Sequence, residues 1–205
     1  MTIRPMDYVS ARIPTTSTAP NVRTAFDGNG AVEGESVMSV EAIQASTQRF
    51  TAEPEAARSA PAVTASLING RARLSTGAFN WDADLPPAIG GDNLAPSPTA
   101  YLLGALAGCA VVFVRDTLAP QLGLHLDDVN AVARCVADAR GLLGMDGAVP
   151  DLGDIVVDIS VVSPEPAERL QLLFELWQER CPIYLALRKP MPVRATFTAE
   201  ANPAT

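Results

Sequence analysis

Histidine and lysine occur once each in this 205-residue sequence, as His125 and Lys189, and cysteine only three times. One histidine excludes a two-histidine metal site, and a Ser-His-Asp triad would have to be built on His125 alone. His125 lies in GLHLDD, just ahead of an expected strand, and reads as a strand-end residue. Acidic side chains outnumber basic ones 23 to 15, for a net charge of −8 at pH 7, and no Lys/Arg cluster breaks the trend. That balance argues against a nucleic-acid surface. The cysteines, at 109, 135 and 181, form no CxxC and no zinc spacing. Their odd number and wide separation argue against a disulfide framework. The opening MTIRPMDYVSARIPTTSTAP has no apolar h-region, so no secretory signal is expected, and a reducing cytoplasm is the simplest home. The glycine-rich GGDNLAP stretch lacks the lysine and the glycine spacing of a phosphate cradle.

What is present is a globular composition, 48% hydrophobic and 19% charged, long enough for one domain with a real core. Residues 1–37 are rich in Thr, Ser, Pro and Gly and read as an irregular arm; 38–205 read as a single domain. Met38 to about Ala57 suggests an amphipathic helix, with Val40, Ile43 and Phe50 loosely periodic. PAVTASLINGRARLS carries Asn69-Gly70 at its centre, which fits a hairpin or a bend in one long strand. In the second case Ile68, Ala72 and Leu74 share a face opposite Arg71 and Arg73. AFNWDADL is a short strand ending at Pro86-Pro87. HLDDVNAVARCVAD and DIVVDISVVS alternate as strands, joined by the glycine-rich ARGLLGMDGAVPDLG. Ser163-Pro164-Glu165 is expected to cap a helix whose apolar positions include Leu170, Leu173, Phe174 and Trp177. A short helix, IYLAL, and a last strand, PVRATFTAE, complete an α+β protein.

Everything is arranged around PPAIGGDNLAPSPTAYLLGALAGCAVVFVR. Ser97-Pro98 is a helix start, a capping hydroxyl followed by proline at the first helical position. From Tyr101 to Val114 fourteen residues pass without a charge. A helix apolar on every side is enclosed by protein or by lipid. Fourteen residues fall short of the roughly 20 that span a bilayer, so a helix buried in a soluble core is expected, with no membrane partner. Gly104 and Gly108, one turn apart, would admit a close backbone neighbour.

Cys109 sits inside that run. Free cysteine is among the most buried residue types and often acts as a small hydrophobe, so a purely structural role is open for it, and Cys135 in its alternating strand is read as structural. Cys181 precedes Pro182, a pattern that puts it at a helix N-cap, where the helix dipole and free N–H groups favour the thiolate. If the fold brings Cys109 and Cys181 together, they form a redox pair.

GGDNLAPSPTAYLLGALAGC resembles the signature of OsmC/Ohr-type proteins, in which an Asn/Ser-Pro step opens a central buried helix carrying a reactive cysteine. The separation of Pro98 and Cys109, the later Cys181-Pro182, and ARGLLGMDGAVPDLGDIVVDISV are similar to that family over about residues 38–200. The resemblance implies an OsmC-like fold with strands around the central helix, an intertwined homodimer with sites at the subunit interface, and reduction of organic hydroperoxides. Cys109 would be the peroxidatic thiol and Cys181 the resolving one, reopened by an external dithiol. An apolar lining from Leu102, Leu106, Val112 and Phe113 would suit fatty or aromatic peroxides, and no metal, flavin or haem is implied. Family members carry a glutamate just after the helix-opening proline that orients an arginine beside the thiol; here Thr99 and Ala100 stand there. Arg73, or else Arg71, is the expected arginine, with Asp82, Asp84 or Asp92 in place of the missing acid. A non-catalytic protein holding a lipid-like ligand in the interface cleft, and a thiol redox sensor, are the competing readings.

Overall fold

The computed structural model describes residues 40–189 and 191–199; the arm expected over 1–37 lies outside them. Helix α1 covers Val40–Ala52, with Ile43 as its buried residue, and a 3-10 turn follows at Pro54–Ala57. Strands β1 (Thr64–Ile68), β2 (Arg71–Thr76) and β3 (Phe79–Ala83) form an antiparallel meander in the order β1-β2-β3. Asn69-Gly70 is a hairpin turn: Ile68 pairs with Arg71, and φ is 51° at Asn69 and 77° at Gly70. Two positive φ angles in a two-residue loop match the twist of the flanking strands.

A loop ordered by Asp84 leads to α2 (Pro98–Phe113). As the Ser97-Pro98 step requires, the Ser97 hydroxyl accepts the Ala100 N–H at 3.2 Å and Pro98 opens the first turn. A π-turn, Val114–Leu118, and the short α3 (Ala119–Leu122) prolong the helix. Pro120 explains the widening, because it has no N–H for the carbonyl four residues back and its ring crowds it. Gly123, at φ 60°, ends the run. β4 (Asp128–Val136) and β5 (Gly153–Val162) form a second antiparallel sheet, bulged near Cys135, where Asp154 takes a φ of 47°. Between them the expected glycine-rich connection contains a short helix, α4 (Ala139–Leu142).

The helix after β5 begins later than Ser163. That hydroxyl donates to the His125 carbonyl and accepts the Glu165 N–H, so it is spent on a turn, and α5 (Ala167–Arg180) starts after Pro166. α6 (Pro182–Arg188) follows directly. Residues 191–199 alternate as PVRATFTAE was expected to, yet form no strand. Every one of them is exposed, and no described strand edge pairs with them.

The core lies between α2, the β4–β5 sheet and α5–α6. Leu106, Ala110, Val114 and Leu118, each four residues from the last, meet Leu173, Trp177 and Cys181, with the inward side chains of both strands beneath. The helix expected to be buried is therefore buried on one side only. Gly104, Ala105, Gly108 and Val112 are exposed, because nothing described in this chain covers that face. By length and composition the 25 residues from Pro98 to Leu122 would suffice to cross a membrane, but the buried row packs them onto this chain's own strands and helices. The β1–β3 sheet makes most of its contacts within itself, leaving Leu67 81% and Phe79 74% exposed. It is tied to α2 by the Tyr101 hydroxyl, which donates to the Asp82 carbonyl at 2.5 Å, and by the Trp81 and Tyr101 rings, 6.5 Å apart.

Candidate functional site

Cys109 lies in the fourth turn of α2, and Cys181 is the single residue between α5 and α6. The Cys181 N–H closes α5 on the Trp177 carbonyl at 2.8 Å, and its carbonyl opens α6 by accepting the Leu185 N–H at 3.0 Å. Its sulfur takes the N-cap position and accepts the Tyr184 N–H at 3.5 Å, with Pro182 first in the helix. This break turns the sulfur inward, where it meets Cys109 at an Sγ–Sγ distance of 3.3 Å. Residues 72 apart in sequence thus form one dithiol. Cys181 is fully buried and Cys109 half-buried. Burial, followed by the contact with Cys181, pushes the Cys109 thiol up to about 11, with only the Ile183 N–H pulling the other way. A thiol held there is protonated at neutral pH, so this arrangement needs a nearby positive charge to act as a nucleophile. Cys135 lies on β4 and has no part in the pair.

Arg73 is elsewhere. It stands opposite Asp82 in the β2–β3 register, and its Nε and NH2 groups grip that carboxylate, while Arg71 Nε lies 3.7 Å from it. The Arg73 hydrogen bond holds the Asp82 carboxyl below the usual carboxylate range. No described contact joins either arginine to the thiols of the same chain. Of the three expected acids, Asp82 is the one in ion-pair contact with both arginines, while Asp84 feels the charge of Arg71 as a weaker, longer-range attraction. Asp84 is buried and accepts the N–H groups of Leu85, Asp92 and Leu94, so it builds the loop that enters α2. Gly91 completes that loop: a Cβ there would fall 1.9 Å from the Leu85 oxygen. Of the expected apolar lining, Leu106 and Phe113 join the core, Leu102 is half-buried and Val112 half-exposed. His125 is exposed beside Asp127, at the strand end where it was expected. Among the described residues no three His, Cys, Asp or Glu side chains gather as a metal site.

Sequence reasoning missed Tyr101 and Tyr184. Trp177 stacks on Phe174 at 5.9 Å and meets Tyr184 at 4.9 Å, forming the aromatic floor beneath Cys181. Its helical spacing marked it as core, but nothing marked Tyr184 as its partner.

A paired dithiol, one sulfur in an apolar central helix and the other at a helix N-cap, defines an α+β thiol protein. The chain belongs to the OsmC-like protein family, whose model matches residues 90–196. The structure is similar to that of an OsmC like protein from Mycoplasma pneumoniae, 19% identical with a TM-score of 0.54 over 63% of this chain and 88% of that one. It is also similar to an organic hydroperoxide resistance protein OsmC from Legionella pneumophila, 19% identical, TM-score 0.51, over 64% and 91%. A third, an organic hydroperoxide resistance protein from Elizabethkingia anophelis, is 14% identical with a TM-score of 0.50 over 64% and 89%. These likenesses establish the shared fold. No curated protein matches the sequence.

Proposed function

We propose that this protein reduces organic hydroperoxides with Cys109 and Cys181, working as a homodimer in the cytoplasm. The observation that carries the reading is the 3.3 Å approach of the two sulfurs, one of them on a helix N-cap. Proteins of the same fold from Legionella pneumophila and Elizabethkingia anophelis, named for organic hydroperoxide resistance, support the substrate class. The Cys109 thiolate attacks the distal peroxide oxygen and the O–O bond breaks. The alkoxide leaves as the alcohol on taking up a proton, and Cys109 becomes a sulfenic acid. The Cys181 sulfur then attacks that sulfur, the hydroxyl departs as water, and an external dithiol later reduces the disulfide.

The dimer supplies what one chain lacks. A second copy would cover the exposed faces of α2 and of the β1–β3 sheet, which together present Val112, Leu67 and Phe79 to solvent. It would also bring an arginine to Cys109: Arg73, or Arg71, held by Asp82, which would take the part of the acid expected at Thr99 or Ala100. That guanidinium would lower the Cys109 thiol by stabilising its anion.

A non-catalytic role, holding a small lipid-like ligand in the interface cleft, is favoured by the burial that pushes the Cys109 thiol up and by Thr99 and Ala100 standing where the acid is expected. Turnover of cumene hydroperoxide with a dithiol reductant separates the two. Cys109→Ser abolishes it in the first reading, and Cys181→Ser leaves Cys109 trapped as a sulfenic or over-oxidised acid. Full turnover by Cys109→Ser refutes the proposal.

A further inference from the structure

We propose that Tyr101 is a positioning residue of the dithiol site: its hydroxyl fixes the arginine pair of β2 relative to the cysteine helix α2, the part expected of an acid at Thr99 or Ala100. The inference rests on the hydroperoxide-reductase reading above and adds a residue to it. Tyr101 stands about two turns before Cys109 on α2. Its hydroxyl donates to the Asp82 carbonyl at 2.5 Å, at the short end for a hydroxyl donor. β3 is the outer strand in the order β1-β2-β3, so its outward carbonyls have no strand partner among the described residues. Tyr101 takes the one at Asp82. The Asp82 side chain lies on the face of the sheet opposite Trp81, where it holds Arg73 through Nε and NH2. Arg71 depends on the same carboxylate: its Nε is buried, has no hydrogen-bond partner, and lies 3.7 Å from Asp82.

Where the sheet stands against α2 decides where both guanidinium groups rest. The β1–β3 strands make most of their contacts with one another. Their ties to α2 and the loop before it include the Tyr101 hydroxyl, the Trp81 and Tyr101 rings 6.5 Å apart, and the Asp84 N–H on the Pro96 carbonyl at 3.2 Å. Of these, the hydroxyl is the tie that grips the residue holding the arginines. Tyr101 therefore acts at one remove: it fixes Asp82, Asp82 fixes Arg73 and Arg71, and a second copy of the chain would carry these charges to Cys109. A guanidinium stabilises a thiolate through charge-assisted hydrogen bonds, which weaken steeply with misalignment. A misplacement of about 1 Å at a reacting group costs on the order of a hundredfold in rate. Phenylalanine at 101 would keep the ring beside Trp81 and release only Asp82, so the arginines would lose alignment while the fold stands.

The test reads the Cys109 thiolate without peroxide. The full chain, at a concentration where sedimentation shows a dimer, is alkylated with iodoacetamide at neutral pH, and the modified cysteines are mapped by digestion. Tyr101→Phe should slow alkylation of Cys109 about tenfold, the equivalent of one pKa unit. Its circular dichroism and sedimentation should match the parent, since a folded domain withstands the loss of one hydrogen bond. Asp82→Asn, which frees both arginines, should slow Cys109 at least as much. Adding Tyr101→Phe to Asp82→Asn should then change nothing further, because the hydroxyl has nothing left to position. Trp81→Phe trims the ring contact and keeps the hydroxyl bond, and should react as the parent does. Parent-like reactivity of Tyr101→Phe overturns the proposal. So does an equal further loss on top of Asp82→Asn, or a Trp81→Phe variant slowed as much as Tyr101→Phe, since the tyrosine would then serve the fold alone. Turnover of cumene hydroperoxide by the parent separates this inference from the reading beneath it. A parent that turns over while Tyr101→Phe alkylates normally refutes the role of Tyr101 alone. A parent without turnover whose Tyr101→Phe variant is still slowed refutes the reading alone, and a chain that stays monomeric at every concentration refutes both.

Discussion

Oxidation of the dithiol should stabilise the protein by an amount that follows from its place in the chain. A bond between Cys109 and Cys181 would close a loop spanning 72 positions. In the chain-entropy treatment of cross-links such a loop removes unfolded-state freedom equivalent to about 4 kcal/mol at 25 °C. The sulfurs already lie 3.3 Å apart and need approach only to bonding distance, so the native state is asked for little in return. For a chain of this size each kcal/mol moves the midpoint by roughly 2–4 °C, which places the oxidised Tm about 8–16 °C above the reduced one. The assay is one equivalent of cumene hydroperoxide, intact-mass spectrometry, and thermal unfolding followed by circular dichroism. A loss of two hydrogens, mapped by digestion to Cys109 and Cys181, should accompany the rise, and Cys109→Ser should show neither. A gain of oxygen with no cross-link, or a cross-link that leaves Tm unchanged or lower, refutes the reasoning.

The pH dependences follow from the perturbed groups. Cys109 is raised to about 11 in the single chain, so in a dilute, monomeric preparation its alkylation by iodoacetamide should climb about tenfold per pH unit from 7 to 10. A plateau below pH 9 under those conditions would mean that a cation of the same chain already reaches it. A raised pKa means that the folded state holds the proton more tightly. The corresponding stability is therefore complete below the unfolded thiol pKa and lost as pH rises toward 11. Asp84 has the opposite sign: the Leu94 N–H, followed by those of Leu85 and Asp92, holds its carboxyl low against the opposing effect of burial. Its contribution is present above the unfolded carboxylate pKa and lost as pH falls through the lower folded value. Asp84→Asn should lower Tm at neutral pH and flatten the acid limb of a Tm–pH curve, while an unchanged curve would remove Asp84 from the loop's support. Gly91→Ala drives a methyl into the Leu85 carbonyl and should lower the unfolding free energy read from a urea titration by more than the roughly 1 kcal/mol of an ordinary substitution.

The local signals in the sequence are trustworthy where one segment decides the outcome. Ser97-Pro98 starts α2, Asn69-Gly70 turns a hairpin, Cys181-Pro182 caps α6, and β4 and β5 alternate as written, each through contacts within a few residues. The exceptions depend on partners outside the segment. PVRATFTAE has strand alternation, but a strand also needs an edge, and no described edge takes residues 191–199. An all-round apolar helix says that something covers it without saying what, and α2 is covered on one side by its own chain. Arg73 is the expected arginine by its charge and segment. Its cross-strand register with Asp82, which decides where the guanidinium rests, belongs to the β2–β3 pairing and not to GRARLS alone.

The position of Cys181 between two helices also bears on how such a protein can change over generations. Its backbone serves both helices and its sulfur serves as a cap, a duty that a serine oxygen performs at least as well. Replacing one atom, sulfur by oxygen, would leave the α5–α6 junction standing and remove the resolving chemistry entirely, and a single base change is enough to do it. Alanine at the same place would take away the cap as well, at about 1 kcal/mol. A lineage could therefore retire the reaction while keeping the scaffold intact, and a serine at this junction in a related sequence would be the trace it left.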